Sequence, residues 1–388
     1  MYIQSNRILF PVMILFYVIQ SGCTIDIPQW TLFETSLQSD QTYDNPLQDI
    51  RLTVDFTSPS GKTRTGAGFW DGETTWRIRF SPDEQGPWTY RLHCSDESNS
   101  SLNGQRGDFH CSPYQGDNPL YLHGAIRISQ NRRFLEHADG TPFFWLADTV
   151  WNGPLLADRF AWQNFLQNRK EKGFNAIQFV LTPWRAADSD PQGQVAYTGQ
   201  EKIQIQPAFF QRMDARIRAI NEEQIIAVPV LLWAIQGQEN PGFHLPIDQR
   251  IRLAEYLVAR YEAFQVIWFL AGDGDYRGEK SEDWKTIGRA VFKDNTTRLV
   301  TLHPGGQHWI REEFCREPWF HFLGYQSGHG DDDKTFQWLY AGPPSQDWRK
   351  EPPLPFINLE PNYEAHNGYT SRKVHDDHAV RRAADWSL

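Results

Sequence analysis

The spacing of apolar residues changes period near residue 124, and this change constrains the fold more than any other feature. Up to about residue 115 the period is two. In 51–57, Leu52, Val54 and Phe56 share a face; in 76–80, Trp76, Ile78 and Phe80 oppose Arg77 and Arg79; in 88–94, Trp88, Tyr90 and Leu92 repeat the pattern. Clusters such as Ser58-Pro59-Ser60-Gly61, Asp71-Gly72 and Gly86-Pro87 punctuate the runs. Strict alternation buries one face and wets the other, so residues 24–115 are expected to form an antiparallel, immunoglobulin-like β-sandwich. No paired carboxylates in this stretch look catalytic.

Residues 116–388 follow another grammar. Short apolar runs at 142–147, 175–181, 225–232, 266–271, 298–302, 319–325 and 355–359 alternate with amphipathic stretches at 207–220, 251–261 and 281–292. Phe210, Met213, Ile217 and Ile220 share one helical face; Ile251, Ala254, Val258 and Tyr261 share another. Strand–helix repeats imply a parallel sheet. The first strand is not followed by GxGxxG or a P-loop, so a TIM-type (β/α) barrel is preferred over a doubly wound sheet. Seven strands are counted and the eighth is not found, so the barrel reads as C-terminally incomplete, with exposed edges.

Composition narrows the partners. Asp+Glu is 48 against Lys+Arg 38, a formal charge of −10, and no basic run exists to neutralise phosphates, so nucleic acid is excluded as a partner. Sixteen Trp, 14 Tyr and 25 Phe suit both a core and stacking on uncharged rings such as sugars. Four cysteines do not make a disulfide scaffold or a Cys-rich zinc module. Cys94 and Cys111 both face inward on neighbouring strands, as either a bridge or two buried thiols; Cys315 has no evident partner.

Residues 1–23 read as an export signal: Arg7, an apolar run from Ile8 to Ile19, then Ser21, Gly22 and Cys23. The run is short for a membrane span. The ending resembles a bacterial lipoprotein box that would lipidate Cys23, although Gln20 departs from it; a single anchor helix is the rival reading. The expected location is periplasmic, secreted or lipid-anchored at the bacterial envelope, with membrane contact only through that anchor.

In (β/α) barrels chemistry sits at the C-terminal ends of the strands. The residues after the successive runs include Asp148, Thr149 and Trp151; Thr182, Trp184 and Arg185; Trp233; Asp273 and Asp275; His303; Gln326 and His329; Glu360, Asn362 and Tyr363. Asp273 after the fourth strand and Glu360 after the seventh would face each other across the mouth. Glycoside hydrolysis needs two such carboxyl groups, one protonated and one ionised, and burial with mutual repulsion splits their pKa values in that sense. Taken alone, a carboxylate at a strand end is more often a helix cap or a loop ion-pair partner.

Residues 140–153 (GTPFFWLADTVWNG), 172–184 (KGFNAIQFVLTPW), 266–276 (VIWFLAGDGDY), 324–329 (GYQSGH) and 355–364 (PFINLEPNYE), with 68–94 ahead of them, resemble the apiosidase-like glycoside hydrolase family. The resemblance spans nearly the whole mature chain, with the motifs in the expected order. It implies a barrel catalytic domain behind a sandwich, and an exported bacterial enzyme acting on plant cell-wall polysaccharide. The characterised family activity releases apiose from side chains of rhamnogalacturonan II. It also implies that Asp273 is the general acid/base and Glu360 the nucleophile of a retaining mechanism, with carboxyl groups about 5–5.5 Å apart. Asp275 and Glu364 are the rivals for the two roles. Related glycosidases commonly carry Glu at the Asp273 position. The family usually continues into an eighth strand.

The other rim residues have plainer alternatives. Asp148 binds a substrate hydroxyl or caps a loop. Trp151, Trp184 and Trp233 stack on sugar or pack as core. Gln326 and His329 line the pocket, and Tyr363 holds Glu360 or packs at the rim. His303 and His329 lack metal-site spacing, so neither metal nor cofactor is expected. The Asp331–Asp333 run reads as a solvated loop, with calcium binding as its rival. A non-catalytic glycan-binding protein is the competing function; a lyase, supported only by Arg185, is a third.

Overall fold

The computed structural model describes residues 25–292 and 297–388. The expected export signal at residues 1–23, with Cys23, lies outside the described residues. Among those described, no helix is long and apolar enough to cross a membrane.

The alternating runs form two sheets. One has five strands in the order Asp26–Pro28, Arg106–Ser112, Gly86–Cys94, Leu52–Thr57, Thr63–Ala67; the other pairs Phe33–Gln38, Thr75–Phe80 and Phe69–Trp70. Pairing is antiparallel except between Asp26–Pro28 and Arg106–Ser112. The inward residues of both sheets, Phe33, Val54, Phe56, Ile78, Trp88 and Phe109, are buried in one core, with Phe33 stacked on Phe109 at 4.2 Å. Cys94 and Cys111 are buried free thiols. The register explains why: Gly86 lies opposite Cys111, so the two cysteines sit at opposite ends of Gly86–Cys94, about 26 Å apart at about 3.3 Å per residue. A disulfide would have to span at most about 7 Å between Cα atoms.

The second half opens with a small antiparallel sheet, Ile126–Ile128, Leu135–His137 and Pro142–Phe143. The apolar run 142–147 was expected to be the first barrel strand and is not: Pro142–Phe143 belong to the small sheet. The first barrel strand is Ala147–Thr149. It opens a five-stranded parallel sheet with Ala176–Val180, Ile226–Trp233, Trp268–Gly274 and Val300–Pro304, in chain order. The sixth and seventh strands, Leu323–Tyr325 and Phe356–Asn358, form a parallel pair. The pair abuts the fifth strand through Thr301, whose hydroxyl donates to the Phe322 carbonyl at 2.7 Å and accepts from Gly324 N at 3.1 Å. On the other side Gln178 Nε2 donates both to Thr149 Oγ1 and to the Leu359 carbonyl, each at 2.8 Å. This is a parallel half-barrel of seven strands, and no eighth lies among the described residues.

The amphipathic stretches become helices Pro207–Glu222, Ile247–Tyr261 and Ser281–Phe292. Phe210, Met213, Ile217 and Ile220 are all buried, as their spacing requires. Ser281 does not cap its helix; its hydroxyl donates to the Gly278 carbonyl of the preceding turn at 2.7 Å.

The two halves share an ionic seam. Arg79 reaches Glu34 and Asp214 at 2.6 Å each, while Arg260 reaches Asp214 at 2.7 Å and Asp71 at 2.8 Å. Phe69, from the small N-terminal sheet, is buried in the half-barrel's core.

Candidate active site

The site grows from the ends of the fourth, fifth, sixth and seventh strands. The fourth strand carries two register irregularities, between Phe269 and Gly272 and between Gly272 and Gly274. Bulges re-aim the side chains they carry. Asp273 takes a left-handed φ of +53° there, a conformation that costs a non-glycine residue of order 1–3 kcal/mol. Gly272 is required beside it, because a Cβ would come within 2.5 Å of the Trp233 ring.

Glu360 follows the seventh strand and is 6% exposed. Both of its oxygens are engaged: Oε1 lies 3.1 Å from His329 Nε2, and Oε2 lies 3.2 Å from His303 Nε2. Gln178 fixes the carbonyl of the residue before it, and Gly328 N donates to its own carbonyl at 3.1 Å. His303, fully buried, packs edge-on against Trp151 at 5.2 Å.

The two carboxyl groups are driven apart in acidity. Burial raises Asp273; the negative charge of Glu360 adds to that, while His303 and Arg185 oppose it, and the net shift is upward. Burial would raise Glu360 too, but its contacts with His303, His329 and Tyr363 outweigh burial and hold it well below the ordinary carboxylate range. One group is therefore poised to hold a proton and its neighbour to stay ionised. The rivals are placed elsewhere: Asp275 is tied to Arg277 at 2.8 Å and Lys280 at 2.9 Å, and Glu364 is exposed.

Other expected residues divide. Trp151, His329 and Tyr363 gather around Glu360 and His303, and His329 and Tyr363 have rings 4.4 Å apart; Gln326 is buried one loop away, with its side chain against Gly306. Asp148 does not join them. It lies within the first strand rather than after it, faces away from Thr149, and accepts from Arg169 of helix Arg159–Glu171 at 2.8 Å. Trp184 and Trp233 pack on each other at 4.5 Å and are 5% and 2% exposed, so neither offers a free face for sugar; they form the floor under Trp151. The exposed ring at the mouth is Tyr369, whose backbone N donates to the His329 carbonyl at 3.0 Å. Its phenol is raised by burial and by both carboxylates. The loop carrying it is pinned by Asp331, which accepts from Thr370 N at 3.2 Å and Ser371 N at 3.1 Å. Asp332 caps the helix Asp333–Ala341 through Thr335 N at 2.8 Å. The acidic run is thus structural rather than merely solvated. Among the described residues no group of three or more His, Cys, Asp or Glu is arranged to hold a metal ion.

Two contributors, Gln178 and Tyr369, escaped the sequence reading, and the role of a third, His303, was missed although its position was not. His303 stood at a strand end but was weighed only as a metal ligand. Gln178 carried a signal, being the one polar residue inside a buried apolar run. Tyr369 lies in a loop, where no periodicity marks it.

Residues 129–388 match the family model described as "Apiosidase-like, catalytic domain". The chain belongs to the apiosidase-like family. Ahead of the apiosidase-like region, residues 26–95 match "Domain of unknown function (DUF5060)". No curated protein matches this apiosidase-like chain. Similar solved structures include a Bacteroides vulgatus ATCC 8482 chain whose own assignment as a glycoside hydrolase is provisional, at 25% identity and TM-score 0.65, covering 78% of this chain and 60% of that one. A family 5 glycoside hydrolase from the same organism shares 24% identity at TM-score 0.61, covering 70% of this chain and 62% of that one. A further glycoside hydrolase gives 25% and 0.62, covering 70% and 64%. The apiosidase-like chain thus has a glycoside-hydrolase fold and spans 60–64% of the length of each of those chains.

Proposed function

We infer that this chain is a retaining glycoside hydrolase that acts on plant cell-wall, pectic polysaccharide at the bacterial envelope or outside it, with apiose as the released sugar. The observation that carries the mechanism is the placement of half-buried Asp273 at the end of the fourth strand and buried Glu360 after the seventh, both within the field of His303, surroundings that push Asp273 up and Glu360 down.

Glu360 attacks the anomeric carbon while ionised; His303 and His329 hold both its oxygens, so its direction of attack is fixed before substrate arrives. Asp273, protonated, donates to the departing oxygen. Water then enters, and Asp273 takes its proton as the glycosyl–Glu360 ester breaks. Trp151 over His303 and the Tyr369 ring supply apolar surface to a sugar face, and Tyr363 supplies a hydroxyl partner.

The experiment is hydrolysis of pectic oligosaccharides, with the anomeric form of the first product followed by NMR. Retention is expected, and E360Q and D273N should each lose at least about a thousandfold in turnover. Inversion would remove Glu360 from the nucleophile role. Unchanged glycan binding with no turnover in the parent chain would favour the glycan-binding reading instead.

A further inference from the structure

We propose that Arg132, Arg133 and Arg349, gathered around Trp348 at the end of the half-barrel opposite the catalytic mouth, form a second, non-catalytic site that holds a carboxylated polysaccharide. The choice of polymer rests on the pectic substrate inferred above. The site itself uses neither Asp273 nor Glu360.

Its place follows from the chain. Arg132 and Arg133 lie in the turn between Ile126–Ile128 and Leu135–His137. Residues 348–353 lead into the start of the seventh strand, Phe356–Asn358. The catalytic groups sit where strands end, so this patch belongs to the other rim. Arg132 Nε donates to the Pro353 carbonyl at 3.1 Å, and Arg133 Nη1 donates to the Trp348 carbonyl. Those bonds hold the turn against the segment. The Arg133 guanidinium lies 5.6 Å from the centre of the Trp348 ring, and that of Arg349 lies 4.7 Å from it.

The patch carries more positive charge than its neighbours cancel. Nearby, Lys350 is paired with Asp347 at 2.8 Å and Glu312 at 3.4 Å, and Arg127 of the same small sheet with Glu136 at 2.9 Å. Among the described residues, none of Arg132, Arg133 and Arg349 has a carboxylate within 4 Å. Glu351, exposed, is the one carboxylate of residues 348–353 and offsets a single charge at most. Arg132 also holds a left-handed φ of +57°, a conformation that favours glycine, yet the position carries a cation. In a chain of net charge −10, three guanidiniums kept together against their own repulsion make a local field of the opposite sign. Guanidinium forks match carboxylates, and Trp348, 46% exposed, adds apolar surface for a sugar face. A polymer with a carboxylate on successive sugars engages several of these groups at once, so weak single contacts combine.

The test is affinity electrophoresis of the full chain in gels holding polygalacturonate or its fully methyl-esterified form, with flotation on phosphatidylglycerol vesicles in parallel. Polygalacturonate should retard the chain, the ester should not, and the retardation should fade as salt is raised. R132Q/R349Q should weaken binding at least about tenfold, about 1.4 kcal/mol, with an unchanged melting temperature. R349Q alone breaks no hydrogen bond among the described residues and should cost about threefold. R106Q removes one exposed charge from the strand Arg106–Ser112 and should bind like the parent. E360Q should also bind like the parent, and R132Q/R349Q should cleave short pectic oligosaccharides at the parental rate. Equal retardation by the ester, or a loss in R106Q equal to that in R349Q, overturns the proposal. Binding to the vesicles that exceeds binding to the polymer overturns it in favour of a membrane-docking surface. Arginine-dependent polymer binding by a chain that cleaves no glycan would sustain the site and sink the hydrolase reading, so the two failures are told apart.

Discussion

Asp273 and Glu360 are chemically similar side chains in contrasting surroundings. Glu360 faces two imidazoles; Asp273 faces Glu360 itself, an apolar wall and a distant guanidinium. The pH–rate profile should therefore be bell-shaped. Its acid limb falls as pH drops through the depressed Glu360 value, and its alkaline limb falls as pH rises through the raised Asp273 value. Replacing His303 with Ala removes a contact that stabilises the Glu360 anion. We expect the acid limb to move to higher pH while the alkaline limb rises as well, since His303 also lowers Asp273. A profile of kcat/KM against pH for H303A checks both shifts, and an unmoved acid limb would show that His303 only packs. Gly272→Ala would push a methyl into the Trp233 ring; about 1–3 kcal/mol of destabilisation is expected from denaturant unfolding.

At the scale of elements, the site depends on where each strand begins and stops. Counting from the end of an apolar run found Asp273, Glu360 and His303 because those runs are strands buried on both faces. The same rule misplaced Asp148, because residues 142–147 are divided between a small antiparallel sheet and an irregular stretch that leaves Phe144 exposed. A run of apolar residues reports burial, not the element that is buried. The loops after the sixth and seventh strands are tied together by Asp331, the His329 carbonyl and Gly328 N. Asp331→Ala should loosen the segment bearing Tyr369. The expected result is a several-fold rise in KM with a stability change of about 1 kcal/mol or less, read from kinetics and a melting curve. In the N-terminal sheets, reducing agent should leave the melting temperature unchanged, since the strand register separates Cys94 from Cys111.

For the whole molecule, the N-terminal sheets are part of the packing rather than an appended module. Arg79 and Arg260 are buried across the seam with Asp71 and Asp214, and Phe69 enters the half-barrel's core. Removing one partner strands buried charge of the other sign, which costs about 3–5 kcal/mol. Arg260→Met should lower unfolding free energy by about that amount, and unfolding should remain one transition for probes in both halves. Two separated transitions would mean that the seam carries little coupling. Local periodicity was enough to determine the two grammars and the parallel strand–helix order, because burial on one or both faces imprints directly on neighbouring residues; the family came from the resemblance of the strings around residues 140–153, 266–276 and 355–364. Tertiary structure alone decided that Asp148 faces Arg169, that Trp184 and Trp233 are floor rather than platform, and that Tyr369 stands at the mouth. It also decided that His303 and His329 hold Glu360 from two different strands, since contacts between residues far apart in the chain leave no period to read.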